Sequence, residues 1–405
     1  MRFSRFCIPI FAVLLLLFSA GAAGEKSVRF EPVKPGIENI DRYLNLFKDK
    51  RVGLITNQTG VDRLGNSSID LLHQKVNLTA LFSPEHGLRG REPAGDKVAS
   101  GVDAKTGLPV FSLYGETRRP TPDMLENIDV LCFDMQDVGA RFYTYISTMA
   151  YAMESCRAQD KLFVVFDRPN PLGGEIVEGP VLKPGYESFI GLFPIPVRHG
   201  LTVGELARYF NEEQGIQVKL AVVEMSGWRR WMFWEDTGLA WIPTSPNIPT
   251  PAAALVYPGS GIIGETNISA GVGTLRPFEL IGAAWLNGEE LAARLNALKL
   301  PGVYYHPVVF TPDKGRQAGI MQQGVEIQVV DKNLYRPVYS AAAVLNTIRQ
   351  LSRGRLELRP GSSFDLAVGE VSLRDQQEPL PEMLRRWQLE ADRFKQLSQN
   401  YYLYP

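Results

Sequence analysis

The chain has 405 residues, 45% hydrophobic and 21% charged, with 43 basic and 44 acidic side chains and a formal net charge of -1. That balance excludes the basic footprint of a nucleic-acid binder, and the length is enough for a large core without disulfide staples. Three cysteines make no disulfide framework, and no histidine cluster has zinc-site spacing, so neither a metal nor a cofactor is expected.

Arg2 and Arg5 precede an apolar run over residues 8–18, followed by Ala20, Gly21 and Ala22. This is the order of a secretory signal peptide over residues 1–23, with the mature chain starting near Ala23 or Gly24. It places the protein in the periplasm or outside the cell. The run is short of the roughly 20 apolar residues of a spanning helix, and no span is expected after leader cleavage. Residues 51–57 read as a strand, and residues 66–74 as a helix capped by Asn66 or Ser67. Residues 78–83 are the next strand, and residues 87–107 a loop or lid rich in glycine and charge. Residues 110–114 read as extended, and Thr121-Pro122 as a helix start. A strand at 128–133, a helix at 146–157 and a strand at 162–166 continue the alternation. Thr202 and Glu205 form a capping box for a helix through Phe210, before a strand at 218–223. The order is βαβ, which predicts an α/β fold: a Rossmann-like, mostly parallel sheet over residues 24–245. The proline-heavy stretch 243–258 reads as a link to a smaller α/β domain over residues 246–405. Its helices are expected near 278–295, 340–351 and 378–397, and its strands near 303–310 and 325–330. Trp228, Trp231, Trp234 and Trp241 form a packed flap or, for one or two rings, a sugar-facing surface.

Chemistry gathers where apolar runs end. Asn57 and Gln58 follow the first strand, Glu85 and His86 the second. Asp134 ends a third and is followed by Asp137, Arg141 and Tyr143; Asp167, Arg168 and Asn170 follow a fourth. Asn247 follows the apolar run 239–242, and Glu265 and Asn267 lie in a glycine-rich, nearly uncharged stretch. Ligands of open α/β sheets bind beyond the carboxyl ends of the strands, so these residues form an acidic rim. Glu85 there is an acid or base, or else a loop ion pair with Arg89 or Arg91. Asp137 either joins the site or caps the next segment, and Arg141 either binds a substrate carboxylate or pairs with Asp134. No dinucleotide fingerprint, Walker lysine or Gly-x-Ser-x-Gly elbow is present.

These motifs together resemble a bacterial exo-β-N-acetylmuramidase family, glycoside hydrolases of peptidoglycan recycling. The resemblance rests on Ile55-Thr56-Asn57-Gln58-Thr59-Gly60, Ser83-Pro84-Glu85-His86-Gly87 and the run from Asp134 to Tyr145. Asp167-Arg168-Pro169-Asn170-Pro171-Leu172-Gly173-Gly174, Thr244-Ser245-Pro246-Asn247-Ile248-Pro249 and Glu265-Thr266-Asn267-Ile268-Ser269 complete it. It implies a Rossmann-like domain with a smaller α/β domain, a cleft between them, and release of terminal N-acetylmuramic acid from peptidoglycan fragments. It also implies that Glu85 is the catalytic glutamate. Two segments depart from the family pattern: no cysteine follows Lys314-Gly315, and no arginine precedes Gly273. Glycosidic cleavage needs a proton donor, here Glu85, and a group opposing it. Asp134, Glu265 and the substrate's own acetamido oxygen all qualify for the second role. The substrate's lactyl carboxylate needs a cation, Arg141 first and Arg168 second. A non-catalytic glycan-binding protein and a related exo-N-acetylhexosaminidase are the alternatives. The oligomeric state stays open.

Overall fold

The structure is a computed structural model that describes residues 33–90, 92–93, 95–358 and 361–405. The leader pattern over residues 1–23 lies outside the described residues.

The first part runs β1 (Val52–Thr56), α1 (Ser68–Lys75), β2 (Leu78–Ser83), β3 (Gly101–Val102), β4 (Pro109–Ser112), α2 (Pro122–Leu125), β5 (Val130–Asp134), α3 (Tyr145–Ala158) and β6 (Leu162–Phe166). It continues through β7 (Glu178–Val181), β8 (Pro196–Arg198), α4 (Val203–Glu213) and β9 (Lys219–Val223). Seven strands form one sheet in the order β3-β4-β2-β1-β5-β6-β9, parallel throughout except for β3 at one edge. Taken alone, the parallel strands follow the doubly wound order 3-2-1-4-5-6.

Both faces of this sheet are covered, which is why its central strands are unbroken apolar runs. Leu54, Cys132 and Val164 point to one face, onto Ile69 and Leu72 of α1 and onto Ile37, Ile40 and Phe47 of the N-terminal strap. Ile55, Phe133 and Val165 point to the other, onto α3 and α4. Cys132 and Cys156 fall in these separate clusters and are both buried free thiols. Ser67 caps α1 and Thr121 caps α2, while Thr202 and Glu205 make the reciprocal box of α4.

The second part runs α5 (Pro251–Gly264), β10 (Leu280–Ala283), α6 (Gly288–Ala297), β11 (Val303–Phe310), β12 (Gln322–Val329), α7 (Pro337–Ser352), α8 (Ser363–Val368), α9 (Ser372–Asp375) and α10 (Leu380–Ser398). Its sheet is antiparallel, in the order β10-β12-β11. Ile281 and Val325 of this sheet share one core cluster with Ile55 and Phe133 of the larger one. The C-terminal tail returns to the first part, where the Tyr404 hydroxyl donates to Asp167 at 2.7 Å.

One sequence expectation fails here, and the link gains detail. From Pro251 onward the proline-heavy stretch is helical. Thr250 Oγ1 accepts from the Ala253 amide at 3.1 Å, Pro251 takes the first helical turn, and Pro258 sits inside α5. Gly259 lets α5 cross α7 closely, since a Cβ there would lie 2.1 Å from the Pro337 carbonyl oxygen. The expected helix over 278–295 is instead β10 followed by α6. Every residue of Leu280–Ala283 is buried, and a short run apolar on both sides carries no period to separate strand from helix. The two segments that depart from the family pattern touch each other: Asp313 donates its amide to the Gly273 carbonyl at 2.8 Å.

Candidate active site

The strand order reverses between β1 and β5, the point where doubly wound sheets bind ligands. Thr56 Oγ1 donates to the Asp134 carbonyl at 2.8 Å and ties the two strand ends together. The chain then turns at Gly60, where a Cβ would lie 2.1 Å from Thr56 Oγ1. Asn57 Oδ1 accepts from the Thr59 amide (2.9 Å) and hydroxyl (2.6 Å), leaving its buried Nδ2 without a protein partner. Gln58 Nε2 donates to the Pro243 carbonyl at 2.7 Å, joining this turn to the 243–249 segment.

Glu85 stands two residues beyond β2. His86 and Gly87 both adopt positive φ (68° and 73°), so the chain bends sharply and the glutamate turns inward. Its Oε2 accepts from Thr144 Oγ1 at 2.6 Å and its Oε1 from the Gly95 amide at 3.0 Å. The side chain is buried, at 8% exposure, under the loop after it. His86 holds that loop: its Nδ1 lies 2.8 Å from the Glu92 carbonyl, which only accepts, so Nδ1 carries the ring proton. The alternative of an ion pair between Glu85 and Arg89 is not taken up, since Arg89 pairs with Asp103 at 2.9 Å.

An aromatic wall faces this carboxyl. Tyr143 meets Tyr145 at 4.8 Å and Tyr257 at 5.9 Å between ring centroids, and Tyr257 meets Phe278 at 4.7 Å. The Tyr145 hydroxyl donates to the Thr244 carbonyl at 2.7 Å. Burial raises the Tyr143 and Tyr257 phenols far above the usual tyrosine range, and both also feel the negative charges of Asp137 and Glu85. The charge of Glu265 acts on the Tyr257 phenol as well. Glu265 caps the end of α5, half-buried, and takes the Ser363 hydroxyl on its Oε2.

Asp137 lies beneath this group, with Oδ2 accepting from the Gly139 amide at 2.6 Å and Oδ1 unpartnered. Burial pushes its carboxyl up to about 7. His199 Nε2 is 3.8 Å from Asp137 Oδ2. The Leu201 amide donates to His199 Nδ1 at 3.2 Å, which fixes the proton of the neutral ring on Nε2. Burial, with Arg141 and Arg198 nearby, lowers His199 to about 3. Well below pH 7, and above the low range where His199 titrates, both members of this pair are neutral.

The remaining rim residues make hydrogen bonds and ion pairs within the fold. Asp134 is fully buried and meets Arg168 through both oxygens, at 2.5 and 3.0 Å, and Arg168 also donates to the Val61 carbonyl at 2.9 Å. Each Asp134 oxygen thus accepts one bond from the Arg168 guanidinium. Arg141 donates to the carbonyls of Pro180, Ile195, Ala367 and Val368, each at 2.8 Å, and so ties the first part to α8. It pairs neither with Asp134 nor with a cleft. Asn170 donates to the Leu201 carbonyl at 2.9 Å and accepts from the Leu172 amide at 2.9 Å. Asn267 donates to the Arg355 carbonyl at 2.8 Å, and Asn247 is half-buried with its amide on Ser245 Oγ at 3.2 Å. Trp228 and Trp234 are buried as packed residues.

Sequence reasoning misses Thr144, Tyr114 and Tyr257. Tyr114 emerges only from the strand register: Ser83 of β2 pairs with Ser112 of β4, which sets Glu85 and Tyr114 at equal distances past adjacent strand ends. Tyr257 is hidden in the proline-rich stretch. Among the described residues no group of three or more His, Cys, Asp or Glu is placed to hold a metal ion.

A doubly wound sheet with a buried glutamate past one strand, at the end where such sheets bind ligands, is compatible with a glycoside hydrolase. Residues 52–252 match the family described as exo-beta-N-acetylmuramidase NamZ, N-terminal, and residues 255–404 its C-terminal counterpart. The chain belongs to this exo-β-N-acetylmuramidase family. It is 44% identical over 410 residues to the peptidoglycan beta-N-acetylmuramidase NamZ of Bacillus subtilis strain 168, covering 98% of this chain and 99% of that one. Two crystal structures of DUF1343 family proteins from Bacteroides fragilis NCTC 9343 are also similar. One has 44% identity and a TM-score of 0.87, the other 30% and 0.76, each covering 92% of this chain and 99% of the neighbour.

Proposed function

We propose that the protein is an exo-β-N-acetylmuramidase that removes N-acetylmuramic acid from the non-reducing end of peptidoglycan fragments. The observation that carries this reading is the Glu85 carboxyl, buried and held by Thr144 Oγ1 at 2.6 Å and the Gly95 amide at 3.0 Å. Neutral, it donates its proton to the glycosidic oxygen as the bond from that oxygen to the anomeric carbon breaks. The leaving sugar departs as an alcohol, and positive charge develops on the muramyl ring. Glu265 or the substrate's acetamido oxygen opposes that charge, Asp134 being held by Arg168. Water then adds to the anomeric carbon and returns a proton to the site. Tyr143, Tyr257 and Phe278 supply the apolar wall of the cleft.

The charged, apolar and small-residue order of residues 1–23 supports a secreted or periplasmic location, which N-terminal sequencing of the mature protein tests. The activity itself is tested by incubating the full chain with MurNAc-terminated and GlcNAc-terminated fragments. Release of N-acetylmuramic acid alone is expected. Release of N-acetylglucosamine alone would make the protein an N-acetylhexosaminidase, and binding without turnover a glycan-binding protein.

A further inference from the structure

We propose that Arg118 receives the lactyl carboxylate of the terminal N-acetylmuramic acid and so selects muramyl over glucosaminyl ends; this rests on the muramidase reading above. The substrate of that reading carries one carboxylate that N-acetylglucosamine lacks, and a carboxylate entering a cleft needs a cation. The two arginines of the rim motifs are engaged elsewhere. Arg141 is held by four carbonyls and Arg168 by Asp134. Arg89 pairs with Asp103, and Arg119 with Glu154.

Arg118 differs from all of these. It is exposed, and among the described residues no carboxylate lies within ion-pair distance of it. Its position is nevertheless fixed. The guanidinium lies 4.2 Å from the centroid of the buried Phe189 ring and 5.2 Å from that of Tyr114, and the two rings are 5.9 Å apart. The guanidinium lies against both rings, and its N–H groups not turned to the Tyr114 hydroxyl remain for a carboxylate. Tyr114 places the cation beside the chemistry. It follows β4 as Glu85 follows β2, in register, and its amide neighbours are fixed by Val98 donating to the Tyr114 carbonyl at 2.8 Å. The Tyr114 phenol faces both Glu85 and Arg118. Tyr114 therefore links the cation to the proton donor, which suits a carboxylate carried on the same sugar as the bond being cut.

The test compares N-acetylmuramic acid with its lactyl amide, which keeps the shape and loses the charge. Calorimetric titration of both into the full-length parent, Arg118→Ala, Arg118→Lys and Phe189→Leu reads the discrimination directly. The parent is expected to bind the acid about 10- to 100-fold more tightly than the amide, the range of a hydrogen bond to a charged group. Arg118→Ala should bind acid and amide alike. Arg118→Lys should keep part of the preference, and Phe189→Leu, which loosens the stack, should reduce it. An acid-to-amide ratio in Arg118→Ala equal to that of the parent overturns the proposal. If the parent still hydrolyses a terminal muramide in that case, the muramidase reading stands without it. A parent that neither hydrolyses a muramide nor prefers the acid overturns both.

Discussion

Replacing Asp137 by asparagine tests the most unusual electrostatic feature of the site. The carboxyl is 4% exposed, has one oxygen on the Gly139 amide at 2.6 Å, and has its folded-state value pushed up to about 7 by burial. Against an ordinary 3.8, the gap of about 3 pH units corresponds to roughly 4 kcal/mol. The folded state binds the proton more tightly than the unfolded state, so the parent loses stability as pH rises from about 4 to about 7. His199, the nearest base, stays neutral over that window, because burial holds it near 3. Asparagine keeps an oxygen for the Gly139 amide and has nothing to ionise. The stability of Asp137→Asn minus that of the parent should therefore move in favour of the variant by up to roughly 4 kcal/mol between pH 4 and pH 8. Urea unfolding of both proteins at several pH values measures it. A difference that is flat, or that moves in favour of the parent as pH rises, would show that Asp137 is ionised in the fold and refute the argument.

Two further variants separate scaffold from chemistry. Arg141→Met removes one donor from each of the carbonyls of Pro180, Ile195, Ala367 and Val368 and should cost more than about 3 kcal/mol in chemical denaturation. The preference for a lactyl acid over its amide should be unchanged in the folded fraction. Asp134→Asn weakens a buried pair with Arg168 and should cost roughly 3–5 kcal/mol, with turnover per folded molecule close to that of the parent.

Much of the first sheet is legible in the sequence because β1, β2, β5 and β6 are apolar runs that end abruptly in polar residues. Glu85 is legible for the same reason, as the first ionisable residue past β2. The caps at Ser67, Thr121 and Thr202 are local patterns and are read locally. What is not legible depends on distant parts of the chain. The partners of Arg141 lie as far as 227 residues away, so nothing in its own motif tells a substrate-binding guanidinium from one that pins α8. The partner of Asp134 comes from the next strand, 34 residues on. The hairpin of β7 and β8 pairs Glu178 with Arg198 and is buried on both faces, without alternation to announce it. In α5, prolines and glycines mask a helix whose burial, not its propensity, holds it together.

The central claim is that Glu85 is the proton donor of a muramidase. Turnover of a MurNAc-terminated fragment by Glu85→Gln, set beside its thermal unfolding, tests this most directly. Glutamine preserves the shape, and its side-chain oxygen can still accept from Thr144 Oγ1 or the Gly95 amide. The account predicts an unfolding temperature close to that of the parent and a rate lower by roughly 10²–10⁴-fold, the usual worth of general acid catalysis. A folded Glu85→Gln protein within about threefold of the parent rate, well inside that range, would contradict it.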